Sequence, residues 1–346
     1  MSLAERLPAL ARFIAEHAEA TQARIVHCQP LTGGAIQENW ILEIELPDGP
    51  LAGHHALVLR TDAPSRVAAS RSRAEEFALL RAAHKAGVAV PEPLWLGTDP
   101  AVLGKPFFLM RHVRGVAAGH KLVRDPGFPI DRPQLTQRLA EELAKIHALK
   151  PPQPELDFLG PPSRQPAQDH ITEYRGYLDA QGAARPALEY GLAWAERHAQ
   201  EPALITLTHQ DYRTGNYLVD ENGLAAILDW EFVSWGDPDC DIGWFCARCW
   251  RFGAVEREAG GVGARSDFLH AYEKASGRTV DPGRVKFWEV MAHMRWAIIA
   301  LQQAERHSSG REPSLELALT GRIADELELE TLRLIETADP IESGKK

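Results

Sequence analysis

The stretch THQDYRTGNYLVDENGLAAILDWE, residues 208–231, contains a histidine, two aspartates and an asparagine whose types and spacing could perform chemistry: His209, Asp211, Asp229 and Asn216. Asp211 comes two residues after His209, and Asn216 comes five residues after Asp211. Asp229 follows Asn216 by thirteen residues, at the end of an apolar, strand-like run. Phosphoryl transfer from a nucleotide needs a carboxylate facing the attacking hydroxyl, two oxygen ligands for Mg²⁺ and a positive group on the phosphates. The spacing His-x-Asp-x4-Asn is typical of loops that perform this chemistry.

The chain resembles the aminoglycoside phosphotransferase and choline kinase-like family, whose fold is similar to that of a protein kinase. The matching stretches are HQDYRTGN, then ILDWE, then WGDPDCDIGW. A strand-rich N-terminal region precedes them in the expected order, so the resemblance covers essentially the whole chain. It implies that Asp211 is the catalytic base and that Asn216 and Asp229 hold Mg²⁺. His209 is then expected to orient the loop through hydrogen bonds, and Asp241 to buttress it.

Two charged residues beside the motif have open roles. Arg213 lies two residues beyond Asp211, where it either reaches the transferred phosphate or forms a plain salt bridge. Glu231 follows Asp229 by two residues, and it either lies near the metal or is a solvated strand end.

The elements that must position these residues divide the chain into two regions. Residues 70–86 have the apolar spacing of one main helix, and the chain beyond residue 115 is mostly helical. YLVD and AAILDW flank the turn 221–223, which is a hairpin signal. The five strand-like runs of the N-terminal region are 24–29, 40–46, 55–60, PEPLWLG and KPFFLMRHVRG.

The predicted fold is therefore α+β, bilobal and protein kinase-like. A small N-terminal lobe, residues 1–115, has an antiparallel five-stranded sheet and one main helix, and it binds the nucleotide. A larger, mostly helical C-terminal lobe, residues 116–346, carries the 209–216 loop and the acceptor site. The length of 346 residues agrees with two lobes.

Candidates for nucleotide binding lie in the N-terminal lobe. Gly33 and Gly34 lie between the first two strands, where backbone N–H groups could cover phosphates. The family usually has a lysine on the third strand, but this chain has Arg60, whose guanidinium can bind phosphate oxygens bidentately. Glu75 and Glu76 compete as its acidic partner, and Glu76 better matches the family's Glu-Phe pattern.

The run FFLMRHVRG supplies the predicted hinge. The resemblance implies that Met110 closes the back of the adenine pocket and that backbone groups from Arg111 to Val113 bind the base. Core packing explains the apolar letters of this run equally well.

The acceptor is the least specified part of the prediction. Tryptophans in the C-terminal half, together with carboxylates, could bind a cationic amino alcohol or amino sugar, while helix packing explains the same tryptophans. The carboxylates concerned are Asp237, Asp239, Glu289 and Glu305. Members of the family phosphorylate antibiotics, choline, amino alcohols, sugars and other hydroxylated metabolites.

The predicted function is transfer of the γ-phosphate of ATP or GTP, with Mg²⁺, to a hydroxyl of a small molecule. The alternative is a non-catalytic kinase-like protein that binds a nucleotide or metabolite, and Arg60 in place of lysine is its best support. A protein substrate is disfavoured because only twelve residues separate Asp229 from Asp241, too few for the activation segment of a protein kinase.

Composition limits the partners. The formal charge of -10 disfavours nucleic acid, and no apolar run has the length of a membrane span. The N-terminus reads as an amphipathic helix rather than a signal peptide, so the expected location is the cytoplasm, as a monomer or homodimer. Cys246 and Cys249 form a C-x-x-C without a second ligand pair, which indicates buried thiols rather than a metal site.

Overall fold

The computed structural model describes residues 3–31, 37–62 and 71–338, and the elements named below belong to these ranges. The strands are β1 Arg24–Pro30, β2 Gln37–Leu46, β3 Gly53–Asp62, β4 Pro93–Gly97, β5 Phe107–Arg111, β6 Thr206–Thr208, β7 Tyr217–Asp220, β8 Gly223–Ile227 and β9 Ser234–Gly236. The helices are α1 Leu3–His17, α2 Arg73–Lys85, α3 Pro100–Leu103, α4 Gly119–Arg124, α5 Arg132–His147, α6 Pro166–Gln181, α7 Pro186–His198, α8 Pro238–Cys246, α9 Arg265–Ser276, α10 Pro282–Ser308, α11 Leu315–Arg322 and α12 Ala324–Ala338.

The chain forms two units, defined by which segments pack together. The first unit contains Met1–Val116, Pro152–Phe158 and Tyr217–Val233. The second unit contains Ala117–Pro151, Leu159–Asn216 and Ser234–Lys346. The predicted limits of the two lobes, 1–115 and 116–346, stay a prediction.

Apolar residues at every second position build one face of the sheet in the first unit. Leu42 and Ile44 on β2 are fully buried, as are Leu57 and Leu59 on β3, with the period of two that a strand imposes. Helix α1 packs its buried Leu10 into the same core. The five strands have the order β1-β2-β3-β5-β4, and every neighbouring pair is antiparallel, as predicted.

Helix α2 begins and ends where its sequence provides caps. The side chain of Ser72 accepts from the N–H of Glu75, and the side chain of Glu75 accepts from the N–H of Ser72, which is a reciprocal capping box. Gly87 follows the helix in the left-handed region, with φ of 75°, which a glycine adopts without strain. These caps set the position of α2, and Glu76 on its first turn is buried.

The predicted hairpin is present in the first unit as β7 and β8, with Asp220 opposite Gly223. Its second strand ends at Ile227, so the expectation that Asp229 ends the strand is wrong by two residues. Asp229 instead has a left-handed backbone with φ of 60° and precedes a single 3₁₀ turn, Trp230–Phe232.

The second unit is helical around one short strand pair. Strand β6 pairs with β9, and the 209–216 loop leaves the end of β6. Asp237 caps α8 by accepting from the N–H of Asp239, and Pro238 occupies the first turn, where its missing N–H costs nothing. The sheet of the first unit and the helices of the second confirm the predicted α+β class. No helix within the described ranges is long and apolar enough to cross a membrane.

Candidate active site

The buried carboxylate of Asp241 fixes the beginning of the 209–216 loop in the second unit. Asp241, on α8, accepts hydrogen bonds from the backbone N–H of His209 at 2.6 Å and of Gln210 at 2.8 Å. His147 Nε2 donates to the same carboxylate at 3.1 Å. The side chain of Asp241 is fully buried, so these donors replace the water it loses. Asp241 thus occupies the buttressing position that the resemblance assigned to it.

The carboxylate of Asp211 receives three side-chain hydrogen bonds. Trp244 Nε1 and Arg213 Nε each donate to Oδ1 at 3.0 Å, and Asn216 Nδ2 donates to Oδ2. The side chain of Asp211 is 13% exposed, so it lies at the surface of the unit rather than in its core. A carboxylate fixed in this way can orient an incoming hydroxyl group.

His209 supports the loop and is not open to solvent. It is completely buried, and its Nδ1 accepts from the backbone N–H of Asp211 at 3.3 Å. Since Nδ1 is an acceptor, the neutral ring carries its proton on Nε2. This geometry agrees with the orienting role expected from the sequence.

The side-chain amide oxygen of Asn216 can serve as a ligand for a metal ion. Its Nδ2 donates both to the backbone oxygen of Asp211, at 3.0 Å, and to Asp211 Oδ2. With both amide hydrogens directed to Asp211, the side-chain oxygen is the remaining polar atom. Amide oxygens are among the hard ligands that Mg²⁺ accepts, so Asn216 fits the ligand role that the resemblance predicts.

Arg60 lies in the first unit between two carboxylates. Its Nη2 is 2.8 Å from Glu76 Oε1 and 3.4 Å from Asp229 Oδ1. Burial opposes the charge of Arg60, but the carboxylates of Glu76, Asp229 and Glu231 outweigh it and raise the pKa of Arg60. The side chain of Asp229 is 40% exposed, which leaves carboxylate oxygen accessible to a metal ion.

The structure distinguishes between the two acidic candidates on α2. Glu75 serves as the capping residue of the helix, while Glu76 contacts Arg60. Glu231, for which the sequence left two readings, is 5% exposed and therefore is not a solvated strand end. Arg213 forms the salt bridge with Asp211.

The predicted hinge residues lie at the end of β5 and directly after it. Met110 is buried, and the backbone N–H groups of Arg111 and His112 donate to Glu92 O at 2.9 Å and Ala56 O at 3.0 Å. For Val113, no backbone partner of this kind is found among the described residues. The contact of Val113 with a base stays a prediction. Gly33 and Gly34, the predicted phosphate-covering glycines, lie outside the described residues.

A family model described as the phosphotransferase enzyme family matches residues 27–288. This chain belongs to that family. This is the family that the resemblance of its 209–216 loop predicted.

This chain is also similar to three known proteins, one by sequence and two by structure. Mouse acyl-CoA dehydrogenase family member 10 is 29% identical over 177 residues, which are 49% of this chain and 16% of that protein. The chain thus spans about a sixth of the length of this relative. A putative aminoglycoside phosphotransferase from Ralstonia eutropha has a TM-score of 0.76 at 21% identity, over 96% of this chain and 98% of that chain.

The third similarity is to a spectinomycin phosphotransferase solved with ADP and spectinomycin. It has a TM-score of 0.61 at 13% identity and covers 94% of this chain and 98% of that chain. At these identities the two structural similarities show the fold alone, and they confirm the predicted kinase-like fold of this phosphotransferase.

The carboxylates expected to bind a cationic acceptor are instead paired with arginines. Asp237 and Asp239 both contact Arg284, and Glu289 receives two bonds from Arg265, at 2.6 and 2.8 Å. Glu305, the fourth candidate, pairs with Arg311 at 2.8 Å. Because their charges are already compensated, these carboxylates do not form an anionic pocket.

The C-x-x-C of this phosphotransferase is not a metal centre in the described part of the chain. Burial raises the pKa of the Cys246 thiol to about 12, and burial also raises that of Cys249, which keeps both as neutral thiols. Within the described ranges, no three His, Cys, Asp or Glu side chains are grouped as metal ligands.

Two residues of the site were missed by sequence reasoning. Trp244 is one of the tryptophans of the C-terminal half, for which the sequence suggested acceptor binding or helix packing, yet it donates to Asp211. A signal existed, because Trp244 follows Asp241 by one helical turn and so shares its face of α8. Arg295 donates to the backbone oxygen of Gln210 at 2.5 Å. It lies 85 residues further along the chain, and no local pattern reveals it.

Proposed function

We propose that this phosphotransferase transfers the γ-phosphate of ATP or GTP to a hydroxyl group of a small molecule, with Mg²⁺ as cofactor. The observation that carries the proposal is the carboxylate of Asp211, held by Trp244, Arg213 and Asn216. The ADP bound to the structurally similar spectinomycin phosphotransferase supports the use of a nucleotide.

Asp211 aligns the acceptor hydroxyl and accepts its proton as the new O–P bond forms. The bond between the γ-phosphorus and the bridging oxygen breaks in the same transfer, and ADP or GDP leaves. Little covalent chemistry is asked of the protein in such a transfer, so most of the rate enhancement comes from position and electrostatics. The three donors on Asp211 and the bonds from His209 and Gln210 to Asp241 supply this fixed position.

Arg60 supplies the positive charge for the phosphates, and Glu76 holds the guanidinium in place at 2.8 Å. Asn216 and Asp229 are the proposed ligands of Mg²⁺, because an amide oxygen and an accessible carboxylate form the hard donor set that this ion takes. When bound, Mg²⁺ neutralises negative charge on the phosphate oxygens.

The non-catalytic alternative loses its best support. It relied on Arg60 in place of the usual lysine, but Arg60 contacts the acid on α2 that the resemblance assigns as its partner. The guanidinium stays charged and presents several donors to phosphate oxygens.

Substitution of Asp211 tests the proposal. In Asp211→Asn we expect acceptor-dependent ADP formation to fall by about a hundredfold or more, while titration calorimetry shows nucleotide affinity close to that of the wild type. Asp179→Asn, an exposed position on α6, is the matched control and should turn over normally. Turnover of Asp211→Asn at the wild-type rate would contradict the assignment of the base.

A further inference from the structure

The cationic side chains around Asp211 in the second unit are arginines stacked on tryptophans. The guanidinium of Arg213 lies 4.5 Å from the ring centre of Trp250, and that of Arg295 lies 4.7 Å from the ring centre of Trp244. Trp244 also donates to Asp211 Oδ1. One indole therefore touches both the proposed base and a guanidinium.

Arg295 retains most of its donors. Its Nη1 donates to Gln210 O at 2.5 Å, and no carboxylate within the described residues forms a salt bridge with it. The pKa of Glu173 is lowered mainly by a hydrogen bond from His170. The positive charge of Arg295 also lowers this pKa, and it is the smallest of the causes. A guanidinium stacked by its face keeps its edge for bidentate binding of an oxyanion.

The surroundings of Arg295 have room for a polar group. Arg295 and Trp244 line a small cavity of about 20 Å³ together with Gln210, Tyr174 and Asp241, enough for one water-sized group such as a carboxylate oxygen. The two oxygens of Asp241 already accept the backbone N–H groups of His209 and Gln210. Nearby, Trp250 Nε1 is buried and has no hydrogen-bond partner among the described residues. A buried donor without a partner is costly, and an oxyanion or an ordered water would satisfy it.

We propose that the acceptor carries an anionic group, a carboxylate or a phosphate, and that Arg295 on Trp244 binds it. The inference rests on the proposed function and specifies the acceptor class of the same site. Arg295 and Asp211 contact the same indole, so one small molecule can place its anion on the arginine and its hydroxyl at the carboxylate. The four carboxylates that a cationic acceptor would have needed are paired with arginines.

Acceptors matched in length and differing only in terminal charge test this. The set is an ω-hydroxy acid, the corresponding diol, the amino alcohol and the phosphate monoester of the diol. We expect titration calorimetry to show binding of the acid or the phosphate monoester at least about tenfold tighter than the diol, with the amino alcohol weakest. Equal or tighter binding of the amino alcohol overturns the proposal, and comparison of the two anions identifies which group is preferred.

Substitutions of Arg295 test whether this residue binds the anionic group of the acceptor. In Arg295→Gln the KM of the preferred anionic acceptor should rise by about tenfold or more, and by clearly more than the KM of the diol, and Arg295→Lys should recover part of this difference. Arg306→Gln, on the same helix but paired with Glu312, is the control. An equal loss for diol and anion would show that Arg295 serves the loop through Gln210 or the transferred phosphate, and would overturn the proposal.

Failure of this inference is distinguishable from failure of the proposed function. Binding of anions that depends on Arg295, without ADP formation from any acceptor, supports the anionic site and contradicts the kinase. ADP formation with no preference for anions supports the kinase and overturns the anionic site.

Discussion

Asp241 Oδ1 accepts a 2.8 Å hydrogen bond from the backbone N–H of Gln210, a residue held in the left-handed region with φ of 66°. A residue other than glycine adopts this backbone conformation at a cost of about 1–3 kcal/mol. Gln210 directly precedes Asp211, so the strained residue sets the direction in which the carboxylate of Asp211 leaves the backbone.

Replacement of Asp241 by asparagine should misplace the loop. The new amide has one acceptor oxygen where the carboxylate has two, so the N–H of His209 or of Gln210 loses its partner. We expect kcat to fall about tenfold to a hundredfold with nucleotide affinity unchanged, measured by steady-state kinetics and calorimetry. Asp281→Asn, which keeps the cap of α10, is the control, and an unchanged kcat in Asp241→Asn would contradict the role of this hydrogen bond.

Substitutions of Arg60 distinguish the effect of its positive charge on nucleotide affinity from the effect of its guanidinium geometry. Arg60→Lys keeps the ion pair with Glu76 and should change nucleotide affinity by less than about tenfold, whereas Arg60→Met removes a charge-assisted contact and should weaken it by about tenfold to a hundredfold. Nucleotide titrations measure both variants. Equal affinity of Arg60→Met and the wild type would mean that Arg60 is only a structural ion pair.

Gly243 permits the close approach of α8 to α10. A Cβ at this position would lie 2.4 Å from the Cβ of Trp288 and 2.7 Å from its backbone carbon. Gly243→Ala should therefore lower the free energy of unfolding by about 1–3 kcal/mol, measured by urea denaturation. Gly176→Ala on α6 meets nothing within 4 Å and should instead stabilise by about 0.5–1 kcal/mol, so a loss of similar size in both variants would contradict the packing argument.

His293 makes stability depend on pH. Burial lowers its pKa to about 4, while the unfolded chain binds the proton near pH 6.5. As the pH falls from about 6.5 to 4, protonation favours the unfolded state, so the free energy of unfolding should decrease by up to about 3 kcal/mol. The measurement is urea denaturation across this window. His293→Gln should remove this part of the slope, the exposed His120→Gln should not, and an unchanged slope in His293→Gln would rule out the effect.

The features that depend on residues close together in the chain could be predicted from the sequence. Five strand-like runs, together with the resemblance, predicted the five-stranded sheet, and the turn at 221–223 predicted the hairpin. The spacing of Asp211 and Asn216 also anticipated that the two side chains meet, because a short loop brings residues five apart within reach.

The charge pairing of the second unit could not be read from sequence. Asp237 and Arg284 are 47 residues apart, and Glu289 and Arg265 are 24 apart on different helices. Their contact depends on how helices pack, which residue types alone do not specify. For this reason the tryptophans suggested a cationic acceptor, while the packed helices place the guanidinium of Arg295 over Trp244, beside Asp211, with no salt bridge to a carboxylate among the described residues.

The cluster formed by Trp244, Trp250 and Trp296 has an optical consequence. The ring centres of Trp244 and Trp250 are 5.1 Å apart, as are those of Trp250 and Trp296, and indoles at this separation share their excited states. Any molecule that settles beside Trp244 alters the near-ultraviolet circular dichroism and emission of all three rings together. If the acceptor binds as we propose, this cluster is an internal, label-free reporter of its binding.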